Sequence, residues 1–281
     1  MTEIRTLTPA EVDLAIDWAA TEGWNPGLHD ATAFRAQDAD GFLGLFEGED
    51  LAAVIAATAY GAGFGFLGLY ICRPDLRGRG YGFKLWQAAL ERLGPRTLGL
   101  DGVVAQQDNY ARAGFALAHR NIRFGGKSAA FPKIDGIGPI DMAALPAVLG
   151  FDRRHFLFDR PLFLEKWLAP PDGAALVARA EGEVFGYGVV RRCRHGHKIG
   201  PLFAVDEATA WALYGALSGA AHAADPGSDL FLDVPEPNEA ARTLAAEAGL
   251  SPVFETARMY RGDAPGLPLA RIYGITSLEL G

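Results

Sequence analysis

Short apolar runs broken by turn residues dominate the first 125 positions. Residues 42–47 (FLGLFE), 50–60 (DLAAVIAATAY) and 64–73 (FGFLGLYICR) are rich in Phe, Leu, Ile and Val. Glu-Gly-Glu and Gly-Ala-Gly punctuate them, so they read as successive strands joined by tight hairpins. A helical pattern occupies 9–21, where Thr8 followed by Glu11 three residues on marks a capped start at Pro9. A second helix follows Gly82, and its stripe of Phe83, Trp86, Leu90 and Leu93 predicts a buried face. A strand near 3–7, a short helix around 28–37, a strand at 97–101, a short helix at 107–113 and a strand at 115–124 complete the unit. Helices interspersed through a mixed, mostly antiparallel sheet predict an α+β (mixed α/β) layer.

The pattern then repeats. The run around Gly48 returns around Gly182, 134 residues later, as an apolar strand, a Glu-Gly-Glu turn and a second apolar strand. LGLYICRPD (67–75) is answered by KIGPLFAVD, the helix of 82–93 by 208–221, TLGLD (97–101) by DLFLDV (229–234), and Gly114 by Gly249. An offset held across several elements predicts two tandem copies. The change-over falls in GGKSAAFPKIDGIGP (125–139), where Gly, Pro and Ser break the periodicity, giving domains of 1–128 and 129–281.

Composition narrows the class. At 281 residues and 49% hydrophobic, the chain can bury one large core or two small ones. No apolar run reaches the ~18 residues of a membrane span. The N-terminus lacks a basic start and an apolar core, so no secretory signal is read there. Two cysteines make no disulfide framework, and a cytoplasmic, bacterial-type protein is expected. A net charge of −8 argues against a nucleic-acid surface and favours a cationic small partner.

The candidate chemistry lies in RPDLRGRGYGFKLW (73–86). No Walker loop is present, and G-x-G-x-x-G fails from both Gly78 and Gly80; GFGFLG (63–68) matches it but leads into a strand, so it reads as a hairpin turn. What remains is a run of main-chain amides with little Cβ cover, at Gly78, Gly80 and Gly82, directly before a helix. Such a run can curl around a pyrophosphate with the helix N-terminus behind it. Arg79 and Lys84 add charge. A flexible turn with solvated arginines is the plain alternative.

CRPDLRGRGYG resembles the acetyl-CoA loop of the GNAT N-acetyltransferases, with Arg77, Gly80 and Gly82 on the family pattern and Pro74 at the strand exit. Asn109, Tyr110, Gly114 and Phe115 match its second landmark, and EGWNPG…GLDGVVAQQDNYARAGF resembles a tandem-GNAT branch. The resemblance implies two GNAT folds and direct transfer of acetyl from acetyl-CoA to an amine. It places Arg77, Gly78, Arg79, Gly80, Tyr81 and Gly82 on the cofactor phosphates, with the Ile71 and Cys72 main chain along the pantetheine. Asn109 would bond the cofactor or cap its short helix, and Tyr110 would be the general acid. A simple phenol, pKa ~10, is protonated at neutral pH and able to donate.

No general base stands out: Glu22, His29, Asp30 and Asp101 qualify by placement, and a water chain would also serve. Trp24 and Asn25 are expected to shape the acceptor pocket, against the plainer reading of a buried tryptophan. Cys72 reads as a buried strand cysteine rather than an acyl carrier. Cys193, His195 and His197 read as a solvated hairpin loop, because three ligands without a fourth are poor support for zinc; no metal is expected. In the second copy the repeat places Ala212, Tyr214 and Ala216 on the three glycines, Trp211 on Arg77 and Ala245 on Tyr110. That copy is therefore expected to keep the architecture without the chemistry, leaving it to wall the acceptor cleft, to complete its neighbour's sheet or to mediate a homodimer. The acceptor is expected to be a small-molecule amine. A peptide amine, a CoA-binding sensor without turnover, and a hotdog or Rossmann-type binder are the rivals.

Overall fold

The computed structural model describes residues 1–281. The first part of the chain runs β1 (Thr2–Thr6), α1 (Pro9–Thr21), α2 (Asp30–Gln37), β2 (Phe42–Glu47), β3 (Asp50–Tyr60), β4 (Phe64–Cys72), α3 (Tyr81–Leu93), β5 (Thr97–Val103), α4 (Gln107–Arg112) and β6 (Ala116–Lys127). The second runs β7 (Ile137–Pro139), α5 (Leu145–Phe156), α6 (Pro161–Trp167), β8 (Gly173–Ala180), β9 (Glu183–Arg192), β10 (His197–Ala204), α7 (Glu207–Ala224), β11 (Asp229–Pro235), α8 (Glu239–Glu247), β12 (Ser251–Arg261) and β13 (Ile272–Gly274). The capping box forms as read: Glu11 N–H donates to Thr8 Oγ1 at 3.4 Å, and Thr8 N–H to Glu11 Oε2 at 2.7 Å.

All thirteen strands join one sheet in the order β1-β2-β3-β4-β5-β12-β6-β11-β10-β9-β8-β7, with β13 attached to β10. The order is symmetric about the β12–β6 pair. Each half builds five strands in sequence and then exchanges its sixth, so β12 pairs with β5 and β6 pairs with β11. The halves therefore share one sheet and also one core. Val12, Phe34 and Leu69 pack in the same cluster as Phe151, Trp167 and Phe203.

Two buried ion pairs fasten the exchange, related by the same symmetry. Arg123 on β6 faces Asp233 on β11 (Nε–Oδ1 2.6 Å, Nη2–Oδ2 2.9 Å), and Arg258 on β12 faces Asp101 on β5 (2.8 and 2.5 Å). Each is a directly opposed cross-strand pair with the bidentate geometry that a guanidinium and a carboxylate favour. Burial alone pushes the Asp233 carboxyl up, and Arg123 more than reverses this, leaving it below the ordinary aspartate value.

The parallel pairs open like forks. β4 and β5 pair only from Phe64↔Thr97 to Leu67↔Leu100, and β10 and β11 from His197↔Leu230 to Ile199↔Leu232. The second fork is filled. β13 pairs with β10 at Leu202 and Phe203, and Ile275 N–H donates to Asp233 O on β11 at 2.9 Å. The chain then crosses to the first half, and every residue from 272 to 281 is buried. Two glycines make room for it. A Cβ on Gly200 would lie 2.5 Å from Thr276 O, and one on Gly68 would lie 1.9 Å from Glu279 O. Tyr60 Oη donates to Leu280 O at 2.8 Å and fixes the end.

Three local readings are corrected. Phe83 is 67% exposed, and the buried face of α3 is instead Tyr81, Leu85, Trp86, Ala89 and Leu93. The stripe fails at Phe83 because the loop before α3 sets the helix phase. Eight residues (73–80) separate β4 from α3, but only two (205–206) separate β10 from α7. The second half therefore lacks the loop outright, and Ala212, Tyr214 and Ala216 lie inside a helix instead of replacing its glycines. The Cys193–His197 turn is solvated only at its tip: Arg194 and His195 are exposed, whereas Cys193 and His197 are buried, with Gly27 bridging to Cys193 and Leu28 N–H donating to Arg192 O.

Removing one partner of a buried ion pair strands the other. Asp233→Ala should therefore destabilise the protein by about 3–5 kcal/mol, and Arg123→Met with Asp233→Leu should recover most of it, measured by urea unfolding. Because the folded Asp233 pKa is depressed, the pair's contribution is present above about pH 4 and is lost on acidification below it. Gly68→Ala should cost about 1–3 kcal/mol by overpacking against the tail. Gly63→Ala, which meets open space at an ordinary φ, should change stability by less than about 0.5 kcal/mol in the same assay.

Candidate active site

The open fork of the first half begins at Gly68. Ala56 pairs with Gly68 and Val54 with Ile71, so Leu69 and Tyr70 together face Ile55 in a β-bulge, with Leu69 at φ +46°. A bulge of this kind takes main-chain groups off the ladder where the strand turns away from its neighbour. The result is a cleft of about 460 Å³ walled by Leu67 to Cys72 on one side and Leu100 to Val103 on the other. Glu22 and Trp24 from the end of α1 close one end. Phe254 and Thr256 of β12, with Leu278 and Glu279 of the tail, add a floor from the second half. Tyr70, Trp86, Gln106 and Tyr110 also line a second groove of about 550 Å³ between α3 and α4, together with Phe83, Asn109 and Arg112. These four side chains thus border both the inner cleft and the outer groove, together the channel.

The glycine loop sits at the mouth. Gly78 and Gly80 both adopt φ +80°, where a side chain is strained, and no atom lies within 4 Å of where a Cβ would be. Gly82 has a different reason to be glycine: a Cβ there would lie 2.7 Å from Tyr70 Oη. The main chain at Gly78 and Gly80, without Cβ cover and directly ahead of the α3 N-terminus, has the character of an anion-binding loop. Arg77 holds the loop in place, donating from Nε to Cys72 O at 3.0 Å and from Nη2 to Glu22. Arg79 stands 3.6 Å from Glu47, which also accepts from Tyr81 Oη at 2.7 Å.

Tyr110 lies in the channel with its ring against Trp86 and over Gly102, whose missing Cβ would fall 2.2 Å from the ring. Burial pushes its phenol up to about 12, so the hydroxyl is a proton donor at neutral pH. Tyr70, not singled out in the sequence, is a second phenol in the channel, also raised by burial to about 12. Cys72 lines the cleft, and burial raises its thiol, which opposes thiolate chemistry.

Of the remaining candidates, Ile71, Cys72, Arg77, Glu22, Trp24, Asp101 and Tyr110 all line the cleft. Asn109 lies in the outer groove and spends its amide on Gln106 and Arg112. Asn25 is corrected out of the acceptor pocket. It is buried at φ +49°, and its amide both donates to His195 O (2.9 Å) and accepts from His195 N–H (3.2 Å), clasping the β9–β10 turn. His29 bonds Asp172 at 2.8 Å, and Asp30 accepts from Gly27 N–H and Arg191, so neither reaches the cleft. Asp101 reaches it but is occupied by Arg258 and by Asn121 Nδ2 at 2.7 Å.

Of the second half's contributions, Leu278 and Glu279 fall in ARIYGITSLELG (270–281), whose alternation is strand-like, while Phe254 and Thr256 carried no sequence signal. No helix is long and apolar enough to cross a membrane.

Known proteins carry the same plan. The model of the Acetyltransferase (GNAT) family matches residues 11–117, and that of an Acetyltransferase (GNAT) domain matches 148–274. Holothin acyltransferase of Pseudoalteromonas sp. (strain SANK 73390) is 28% identical over 280 residues, spanning 98% of this chain and 94% of its own. A candidate acetyltransferase of Pyrococcus horikoshii has a similar structure at 22% identity, with a TM-score of 0.81 over 100% of this chain and 96% of its own. A tandem GNAT protein from the clavulanic acid biosynthesis pathway, solved without acetyl-CoA, matches at 15% identity with a TM-score of 0.65, over 94% of this chain and 100% of its own. At these identities the solved structures bear on fold, and the family models bear on each half separately. The chain is an acyltransferase that belongs to the GNAT acetyltransferase family, with one GNAT domain in each half.

Proposed function

We propose that the protein moves acetyl from acetyl-CoA directly to a primary amine of a small molecule, using one cofactor site in residues 1–128, while 129–281 is a degenerate copy that binds none. The observation that carries this reading is the contrast between the two forks. The first has a glycine loop and an open channel; the second has no loop and is filled by β13 and Ile275. The enclosed floor favours a small acceptor over a folded protein, and a relative named for acylating holothin supports the same class.

Gly78 to Gly82 would hold the diphosphate, with the Leu69–Cys72 main chain along the pantetheine. Bound there, the thioester supplies an electrophilic carbonyl and a thiol leaving group. An off-ladder N–H of the bulge is suited to the negative charge that grows on the carbonyl oxygen. Tyr110 donates its hydroxyl proton to the departing sulfur. Trp24, Leu69, Leu100 and Phe254 form an apolar wall that keeps water away and receives the body of the acceptor.

Calorimetry with acetyl-CoA should give one site per chain. Gly80→Val, which forces a branched side chain to φ +80°, should weaken that binding at least tenfold. Binding to both halves, or to neither, would overturn the reading. Tyr110→Phe should leave acetyl-CoA affinity within about twofold and lower kcat by about 10²-fold or more in a CoA-release assay with an amine panel. Tyr70→Phe, whose hydroxyl lies against the loop at Gly82, should act on affinity instead. Tight binding with no CoA release from any amine would identify a sensor.

A further inference from the structure

Three carboxylates line the cleft: Glu22, Asp101 and Glu279. Glu22 is held by Arg77 and Asp101 by Arg258, each in a guanidinium contact. Glu279 has no such partner. It is 3% exposed, no donor of the chain bonds its carboxylate, and its Oε1 is buried with no hydrogen bond at all. An ionisable group left this way in a well-packed floor calls for a ligand that supplies the missing donor. Its position is not slack. Gly68, at the start of the open fork, lets the Glu279 main chain approach as no other residue could, and Tyr60 and Ser277 hold Leu280 beside it. Thr256 Oγ1 is a second unpartnered polar atom on the same floor.

We propose that Glu279, carried into the first half's cleft by the C-terminal tail of the second, takes the proton from the ammonium group of the acceptor. The inference rests on the acyl-transfer reading above. The N–H bond breaks and an O–H bond forms on the Glu279 carboxylate, leaving the electron pair on nitrogen for attack on the thioester carbon. As the new C–N bond forms and the C–S bond breaks, the nitrogen sheds a second proton, which replaces the one that Tyr110 gives to sulfur. The proton on Glu279 then leaves to solvent. Ammonium plus thioester gives amide, thiol and one proton, so the step balances.

The surroundings fit a carboxylate that cycles. The groups acting on Glu279 are Lys198 from β10, Asp30 from α2, Arg123 from β6 and Arg191 from β9. Arg123 is paired with Asp233 and Arg191 with Asp30, while Lys198 meets only the Trp24 carbonyl, at 3.3 Å. Lys198 and Glu279 are thus the two buried charges without an ion-pair partner, and Lys198 favours the ionised carboxylate. Burial works the other way and leaves the Glu279 carboxyl above its ordinary value.

The test compares Glu279→Gln with the wild-type protein on amines with an apolar body that are ammonium ions at neutral pH (benzylamine, 2-phenylethylamine, tyramine) and on aniline, which is neutral. An enzymic base gives a flat kcat/KM between the pKa of Glu279 and that of the ammonium. Without one, kcat/KM climbs tenfold per pH unit up to the amine pKa. The wild type should show the plateau, and E279Q the slope, with about 10²- to 10⁴-fold loss at neutral pH. Aniline turnover should stay within about threefold and acetyl-CoA affinity within about twofold, which also shows that the variant is folded. E279Q matching the wild type at every pH, or losing aniline and benzylamine alike, overturns the inference and leaves the acyl-transfer reading standing. No CoA release by the wild type from any amine overturns both. Should E279Q not fold, a wild-type profile that climbs without a plateau overturns the inference by itself.

Discussion

The architecture depends on two buried arginine–aspartate pairs, Arg123–Asp233 and Arg258–Asp101, each joining the sixth strand of one half to the fifth strand of the other. A cross-strand pair at zero offset is register-specific, because a slip of one residue would turn a guanidinium to the opposite face and leave a buried carboxylate alone. The exchanged strands therefore have one alignment. Since β12 is the direct neighbour of β5, that alignment also decides which second-half residues reach the first half's cleft.

The same symmetry produces two forks, and the chain treats them differently. A parallel pair that splays exposes main-chain groups on both inner edges, and these need partners. In the second half the partner is the protein itself, through β13 and Ile275. In the first half the tail covers the base of the fork at Gly68, and the bulge at Leu69–Tyr70 lines the cleft. One strand end seals one site and floors the other. The second GNAT domain is structurally part of the first one's cleft, even without a glycine loop of its own.

This arrangement explains how polarity is distributed in the site. The mouth is tied by Arg77 and Glu22, the centre carries two phenols, and the floor holds a carboxylate set among buried charges. Asp101, which looks free at the end of a central strand, is occupied in holding the exchanged strand in place. A carboxylate fastened to a guanidinium and an amide is poorly suited to proton transfer, whereas Glu279 carries no such partner.

Much of the local structure was legible in the residues. Thr8 and Glu11 announce the first helix because capping is a contact over three positions, and the turn glycines at 48 and 182 set the hairpins and the repeat. The loop at 77–82 could be read because it depends on backbone freedom next to a helix start, which glycine spacing encodes directly. Phe83 misled, since a helical stripe gives the period but not the phase that the preceding loop imposes. Asn25 misled as well, because only the docked β9–β10 turn shows where its amide goes. Strand exchange, the filled second fork, the pairing of Asp101 with a residue 157 positions away and the arrival of Glu279 beside Gly68 were decided in three dimensions. Each is a contact between distant segments, and pattern along a chain records which face of an element is apolar but not which partner will cover it.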